Sequence, residues 1–442
     1  MATGSPITMS NPAYTVETTP PYAPYRAGLL ALIPLHVVVC CVSLVKVANY
    51  QVYILYDPKH LSYAIVVTAA FSVAAILFAT VRFSLGYFVG FYLYSMILGF
   101  LWINSFSKFN YNLRLAALSA AVSAITFLLP ALLINAPAKQ VFILSHQKFL
   151  RLLDLILLVT VGTFAAASIY HFKLVWLDRM YEFREQLQYP AVIRYLIGIV
   201  PNSLLPLAFA SYLALRSYRK AAIAILLFPL FYPITLGKLA FFSPGWVVAM
   251  WAASRVFEAR TAAILSLLLP ITIGVIFVGI TTSGPLFTYF DMVNVRMVTI
   301  PSSALDIYND FFASHPLTHF CQISIVKTFL TCPYQQPLAV IMREEYGWGN
   351  LNASLFATEG IASVGLYLAP VAALACGLIV AIGNKASAGL PPDFVLISSS
   401  ILPQIFLNVP LTVAMLTHGT ALLFLIWYIM PRSIFDRDLD AR

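Results

Sequence analysis

The sequence predicts an all-α, polytopic transmembrane helical bundle of about twelve spans, with one long external loop that contains short helices. Three observations carry this. The chain is 61% hydrophobic and only 10% charged, with a mean hydropathy of +0.86, whereas a water-facing domain carries about a quarter charged residues. Apolar runs close to the ~20 residues that a membrane helix needs recur along its length. Lysine and arginine, finally, concentrate in alternate connections between those runs.

The apolar runs fall at 27–49, 62–81, 84–103, 115–134, 152–170, 195–215, 221–242, 245–254, 261–281, 359–382, 394–411 and 412–430. The eighth is too short to span alone. Either it extends past Arg255, or the seventh and eighth form one irregular pair. Pro229, Pro233, Gly237 and Pro244 interrupt regular helix there. Irregular backbone at membrane depth survives only against protein or a water-filled cavity, so this region is a candidate cavity wall.

Placing both termini in the cytoplasm puts Arg82, Lys139, Lys148, Arg151, Arg216, Arg219, Lys220, Arg255, Arg260 and Lys385 on the inside. The basic density of the inside segments is then about twice that of the outside ones, the bias of a bacterial inner-membrane protein with this orientation. The expected organisation is a cytoplasmic tail at 1–26, spans one to nine over 27–281, a large periplasmic loop at 282–358, spans ten to twelve over 359–430 and a second cytoplasmic tail at 431–442. Met1 to Arg26 is polar, with Pro20, Pro21 and Pro24 close together, and lacks the basic-then-apolar pattern of a cleaved signal. The first span then serves as the insertion signal. A net charge of +9 without basic residues clustered among aromatics excludes nucleic acid as a partner.

Two outside segments stand out. The first, 171–194, has aromatic and charged residues at helical spacing and reads as an amphipathic helix in the membrane interface. The second, 282–358, is the one long hydrophilic stretch. Loops of that length are usually functional or disordered. Phe311, Phe312, Phe320, Ile323 and Phe329 recur at near-helical spacing, which argues for short helices capping a cavity.

The long loop offers Asp291, Arg296, Asp306, Asp310, His315, His319, Arg343, Glu344, Glu345, Asn350, Asn352 and Glu359. No nucleophile elbow, phosphate-binding glycine loop, HExxH zinc pair or dinucleotide turn is present. An Asp-x-Asp pair for Mg²⁺ is missing from the outer loops. An enzyme built here would use neither metal nor other cofactor, and its substrate would have to arrive already activated.

The order of features resembles the Wzy-type O-antigen and oligosaccharide repeat-unit polymerases, within the wider group that includes the O-antigen ligases. The residues that carry the resemblance are Lys238 in TLGK, Arg296 in NVRMVTIP, the following DIYNDFFASHP, and GWGNLNASLFATEG leading into an apolar helix. It covers roughly 228–429. The resemblance implies a membrane glycosyltransferase that joins an oligosaccharide on one undecaprenyl diphosphate to the end of another, at the periplasmic face, in polysaccharide or lipopolysaccharide biosynthesis. Its partners would be the lipid-linked donor and acceptor, membrane lipid and a chain-length regulator. The anomeric bond to diphosphate is already labile, so the protein supplies a cation for the leaving group and a base for the acceptor hydroxyl. Arginine suits the first task by bidentate phosphate contact, which selects Arg296 and Arg343, with Lys238 as a third cation. Glu344, Glu345, Glu359, His315 and His418 are the candidate bases.

Each of these has a plainer reading. Lys238 can snorkel from its span, and the arginines can pair with Asp291 or Glu344 on a loop surface. Glu344 and Glu345 can be solvated. Glu359 can favour a helix N-terminus, while His315 and His418 can cap turns. Tyr308 and Trp348, with Asn350 and Asn352, are candidate sugar contacts, though loop aromatics more often serve as core or interface anchors. Cys321 and Cys332 are the two cysteines outside apolar spans, eleven residues apart, and form a disulfide candidate if the segment is periplasmic.

Two other functions compete. A ligase moving finished polymer from undecaprenyl diphosphate onto lipid A core would use the same chemistry. A lipid-linked oligosaccharide transporter belongs to another class. It would concentrate ionisable groups at the midplane and show repeats, and neither feature is visible.

Overall fold

The computed structural model describes residues 23–176, 179–184, 186–323, 326–348, 351 and 353–435. All regular structure among them is helical, and eight helices are long and apolar enough to cross a bilayer. Six come first: α1 (Gly28–Ala48), α2 (Pro58–Thr80), α3 (Leu85–Asn104), α4 (Leu113–Leu133), α5 (His146–Tyr170) and α6 (Ala191–Ala214). After the shorter α7 (Tyr218–Leu227) and α8 (Lys238–Val256) comes α9 (Ala259–Ile280). A helical run at 284–314, α10, follows, then α11 (Leu338–Tyr346) and the long α12 (Phe356–Ser387). The chain ends in four short helices, α13 (Pro392–Ser398), α14 (Leu402–Asn408), α15 (Leu411–Leu416) and α16 (Thr420–Ile429).

The expected span boundaries hold where apolar sequence is uninterrupted, and helix starts coincide with polar caps. Ser84 accepts the Tyr87 N–H at the start of α3, Asn112 that of Leu115 for α4, and Ser145 that of Lys148 for α5. α3 is the axis of the bundle, with every residue buried. Of the other four expected spans, the seventh and the last two are interrupted, while the eighth is a single helix with Pro244 inside it. The seventh breaks into α7, a 3₁₀ turn at Phe228–Phe231 and one turn at Tyr232–Thr235. The eighth runs past Arg255 to Val256 and starts as early as Lys238. Most of its added length thus lies at its start, before Gly245, and only one residue lies past Arg255. The last two break at Ser399–Ile401, Val409–Pro410 and Thr417–Gly419. Ser398, Ser399 and Ser400 are buried in protein there, and the Ser400 carbonyl accepts from the Trp246 indole at 2.9 Å. Such breaks are tolerated because neighbouring helices satisfy the freed groups.

Contacts fix which helix ends share a face. Arg260 pairs with Glu258 at 2.5 Å and donates to the Val81 carbonyl at 3.3 Å, joining the turns before α3 and α9. Ala138 N–H donates to the Lys385 carbonyl at 3.2 Å, and Arg432 to that of Ala386 at 2.8 Å. The basic-rich turns expected on one side thus gather on one face of the bundle. The opposite face carries the 282–358 segment and is called the loop face below.

That segment departs from the expected external loop in its first half. α10 is 31 residues of unbroken helix, α-helical at Gly284–Phe290, π-helical at Asp291–Thr299 and α-helical again at Ile300–Ser314. Asn294, Thr299, Ser302 and Ser303 on it are almost wholly buried. Asn294 donates from Nδ2 to Ser43 Oγ of α1 and to the Ile271 carbonyl of α9, each at 2.9 Å. Ser302 donates to the Met96 carbonyl of α3 at 3.0 Å. α10 therefore packs between α1, α3 and α9 rather than standing out from the loop face. Two glycines admit it: a Cβ at Gly274 would land on the Asn294 amide, and one at Gly99 on the Ser302 hydroxyl. The second half matches the expectation better, with α11 and one 3₁₀ turn at Val326–Thr328. Cys321 and Cys332 are joined in a disulfide, with Cα atoms 5.2 Å apart.

The 171–194 segment holds only one short helix among its described residues, Met180–Arg184, before α6 begins at Ala191. It is tied down by side chains rather than by one interfacial helix. Tyr232 donates to the Val175 carbonyl at 2.6 Å, and Lys173 N–H to that of Pro233 at 3.0 Å. The two expected tails lie largely outside the described residues.

Candidate functional site

A polar cluster forms on the loop face where α10 passes the turn between α3 and α4. That turn, Ser105 to Asn112, has too few apolar residues to stay in lipid and folds over the upper end of α10. Asp306 sits under it, 4% exposed. The Tyr111 hydroxyl donates to Asp306 Oδ1 in a short contact, and Ser107 donates to Oδ2 at 3.0 Å. Asn104, at the last turn of α3, donates from Nδ2 to the Tyr111 oxygen at 3.0 Å. A chain of three groups results, running from Asn104 through Tyr111 to Asp306.

Four residues on, and so on the same helix face, Asp310 repeats the arrangement with different partners. Its Oδ1 accepts the Asn110 N–H at 3.0 Å, and its Oδ2 the Tyr346 hydroxyl at 2.8 Å. Tyr346 ends α11, so Asp310 pins that helix over the end of α10. Phe109 packs edge-on against the Tyr346 ring, 5.7 Å between centroids. Arg343 lies three residues before Tyr346, one turn away on a neighbouring stripe of α11.

The electrostatics follow from burial. Desolvation pushes the Asp306 carboxyl up to about 6, further raised by Asp310 and partly offset by the hydroxyls of Tyr111 and Ser107. The Tyr111 phenol is raised by its own desolvation and then by the Asp306 charge, and Tyr346 by desolvation and then its bond to Asp310. A carboxyl group that titrates near neutrality, joined through a half-buried tyrosine to the surface, can take up a proton without itself touching solvent.

The candidates read from the sequence are distributed around this cluster unevenly. Arg296 lies half-buried in the π-helical part of α10, ten residues before Asp306, and Arg343 lies half-buried on α11. Glu344 and Glu345 are exposed on α11 beside it. Lys238 opens α8, whose packing partners are the 228–235 turns, α9 and α13, whereas the part of α10 that carries Asp306 and Asp310, Ile300–Ser314, packs on α3, α11 and the start of α12. Lys238 thus belongs to another sector of the loop face. Glu359 is 7% exposed in the π-helical start of α12. Its Oε1 accepts from Thr412 N–H at 3.4 Å and its Oε2 from the Thr358 hydroxyl at 2.5 Å. It caps the first turn of α15, a structural task that the helix dipole rewards.

The two histidines also have structural partners. His315 follows the last residue of α10, stacked on Phe311 with centroids 3.9 Å apart, its Nδ1 at 2.8 Å from the Phe311 carbonyl. The junction of the last two expected spans, at 411 and 412, falls within two residues of the break at Val409–Pro410. His418 lies one helix deeper, in the turn between α15 and α16, where its carbonyl accepts the Ser203 hydroxyl at 2.7 Å. Tyr308 is 1% exposed, a core aromatic rather than a surface platform. Trp348 is half-buried against Tyr53, 5.0 Å between ring centroids, on the loop face. Asn350 and Asn352 lie outside the described residues.

Sequence reasoning noted Asp306 and Asp310 as polar residues of a loop and passed over Tyr111 entirely. One signal was available: two aspartates at an i, i+4 spacing within an otherwise apolar helical pattern, IPSSALDIYNDFF. The tyrosine in a short turn between two distant spans carried no such mark. No family model, no curated protein and no solved structure matches this chain.

Proposed function

We propose that this membrane protein is a glycosyltransferase that polymerises undecaprenyl-diphosphate-linked oligosaccharide repeat units on the loop face, oriented to the periplasm of a bacterial inner membrane. In this reading both termini are cytoplasmic. The chain crosses the bilayer twelve times, with α8 as one further crossing and α7 plus its turns, α13–α14 and α15–α16 as the interrupted ones. The observation that carries the proposal is the buried Asp306 bonded to the partly buried Tyr111, on a face where Asp310 and Tyr346 hold together α10 and α11, with Arg343 on α11 and Arg296 ten residues before Asp306 on α10.

The chemistry is balanced within that set. The acceptor hydroxyl oxygen attacks the donor's anomeric carbon, and the bond from that carbon to the diphosphate oxygen breaks. The acceptor's proton passes to the Tyr111 oxygen while the Tyr111 proton passes to Asp306 Oδ1. Undecaprenyl diphosphate leaves with the bonding pair. Arg343 and Arg296 are the cations for its charge, worth several kcal/mol (~3 each in a dry site) at the transition state. A base that titrates near 6 is matched to this task, because catalytic groups work best with a pKa near the operating pH. The bases first considered, Glu344, Glu345, Glu359, His315 and His418, either face solvent or hold a helix end or a turn.

The test is deletion of the gene in its host, with the surface polysaccharide run on a gel. The expected result is collapse of the long ladder to lipid A core carrying a single repeat. An unchanged ladder overturns the proposal, and bare core with polymer held on the carrier lipid assigns the ligase reaction instead.

A further inference from the structure

A groove runs between α1 and α2 on the membrane-facing side of the bundle, with a volume of about 680 Å³. Its walls are apolar along almost their whole length, from Leu30 and Ile76 at one end to Val45 and Leu61 at the other. One charged side chain enters it, Lys46, at the loop-face end, beside Tyr56 and Trp102. No acidic side chain lies within ion-pair distance of Lys46 among the described residues. A cation at the mouth of an apolar trough is complementary to a lipid with an anionic head.

The length of the trough selects among such lipids. Leu30 and Lys46 are sixteen residues apart, about 24 Å along a helix axis. One leaflet supplies only about 15 Å of hydrocarbon, half of the ~30 Å core. An acyl chain at its ordinary depth in one leaflet, held at Lys46 by its phosphate, ends above Leu30, whereas a long polyprenyl chain reaches the bottom with length to spare. The groove also opens beside the polar cluster. Trp102, in its wall, stands two residues before Asn104, the partner of Tyr111, and Tyr56 packs on Phe106 with centroids 5.4 Å apart. A head group at Lys46 is therefore next to the turn that carries Ser107 and Tyr111.

We infer that the groove between α1 and α2 holds the polyprenyl chain of a lipid-linked diphosphate, with Lys46 at its phosphate; the inference rests on the proposed function. Ala69 lines the groove while exposed to lipid, so Ala69→Trp fills it without entering the core. The experiment is native mass spectrometry of the full-length protein in detergent, titrated separately with undecaprenyl phosphate, farnesyl phosphate and phosphatidylglycerol. The expected result is one retained undecaprenyl phosphate, favoured about tenfold over both other lipids, and a loss of about tenfold in Ala69→Trp and Lys46→Glu with retention in Lys46→Arg. Equal retention of phosphatidylglycerol means a bulk-lipid groove and overturns the inference. Undiminished binding in both Ala69→Trp and Lys46→Glu also overturns it, because the carrier then sits elsewhere. Neither result touches the polymerase reading, which stands or falls on the polysaccharide ladder.

Discussion

Tyr111 and Asp306 come from opposite halves of the chain, 195 residues apart, and meet in a single short hydrogen bond under the turn between α3 and α4. The bond links a carboxyl group 4% exposed to a tyrosine that is only partly buried. Neither residue alone would suffice for proton uptake, since the carboxyl group cannot be reached and the phenol is a weak acceptor.

The first prediction follows from that pair. Asp306→Asn and Tyr111→Phe should each reduce polymerisation by about 100-fold or more, the usual scale for loss of a positioned base. Wild-type activity should fall as pH drops through about 6, because the base must be deprotonated to act. The stability effect has the opposite sign. Folding raises the Asp306 pKa from 3.8 to about 6, so the folded state binds more protons between those values. That contribution is fully present below 3.8 and is lost as pH rises through about 6. On going from pH 7 to pH 5, wild type should therefore gain roughly 1 kcal/mol relative to Asp306→Asn. Thermal unfolding in detergent across that range measures it, and parallel pH curves for the two proteins would refute the buried-base assignment.

The arginines give the second prediction. Arg343→Ala and Arg296→Ala should each abolish polymer while membrane insertion stays intact, with Lys a poor replacement because the planar fork that grips two oxygens is gone. Complementation of the deletion strain, with immunoblotting of the membrane fraction, separates lost activity from lost protein. Full-length ladder from both alanine variants would remove the diphosphate clamp. Lys238→Ala should be milder than either, since Lys238 is seated among the 228–235 turns rather than on α10 or α11.

How much of this was legible depended on whether a signal was local. Uninterrupted apolar runs such as Leu85–Asn104 and Leu113–Leu133 announce themselves, and their caps, Ser84 and Asn112, stand one residue outside. The cysteine pair was legible because only Cys321 and Cys332 fall outside apolar spans. α10 was not. Asn294, Ser302 and Asp306 are polar, and polarity in a long segment reads as loop. What makes them interior residues is the set of partners waiting at Ser43, Ile271, Met96 and Tyr111, on helices far away in the chain. Periodicity within a window cannot register a hydrogen bond to another helix.

The third prediction tests the seat of α10. Gly274→Leu should displace the Asn294 amide, which already donates to both Ser43 and the Ile271 carbonyl, and so push α10 away from α9. Asn294→Ala removes the two bonds without adding bulk. Interhelical hydrogen bonds in membranes average about 0.6 kcal/mol, so this variant should lose roughly 1 kcal/mol and retain activity. Gly274→Leu should lose activity through misplacement of Asp306. Full activity in Gly274→Leu would mean that the lower part of α10 does not position the site.

The last prediction concerns the clip at Cys321–Cys332. It closes a loop of eleven residues, which in the chain-entropy picture contributes about 3 kcal/mol to the ordering of that loop. The loop leads from α10, through His315 stacked on Phe311, to α11 with Arg343. Tyr334, two residues past Cys332, also ties back, donating to the Pro316 carbonyl at 2.6 Å. Removing the disulfide should therefore loosen α11 before it loosens the bundle, whose helices make no covalent use of it. Cys321→Ser with Cys332→Ser is expected to insert normally and to show faster amide exchange over 317–346. It should reduce polymerisation more than it lowers the unfolding temperature of the whole protein. Exchange equal to wild type over 317–346 would show that Asp310, Tyr346 and Tyr334 hold α11 by themselves, leaving the clip without a part in placing Arg343.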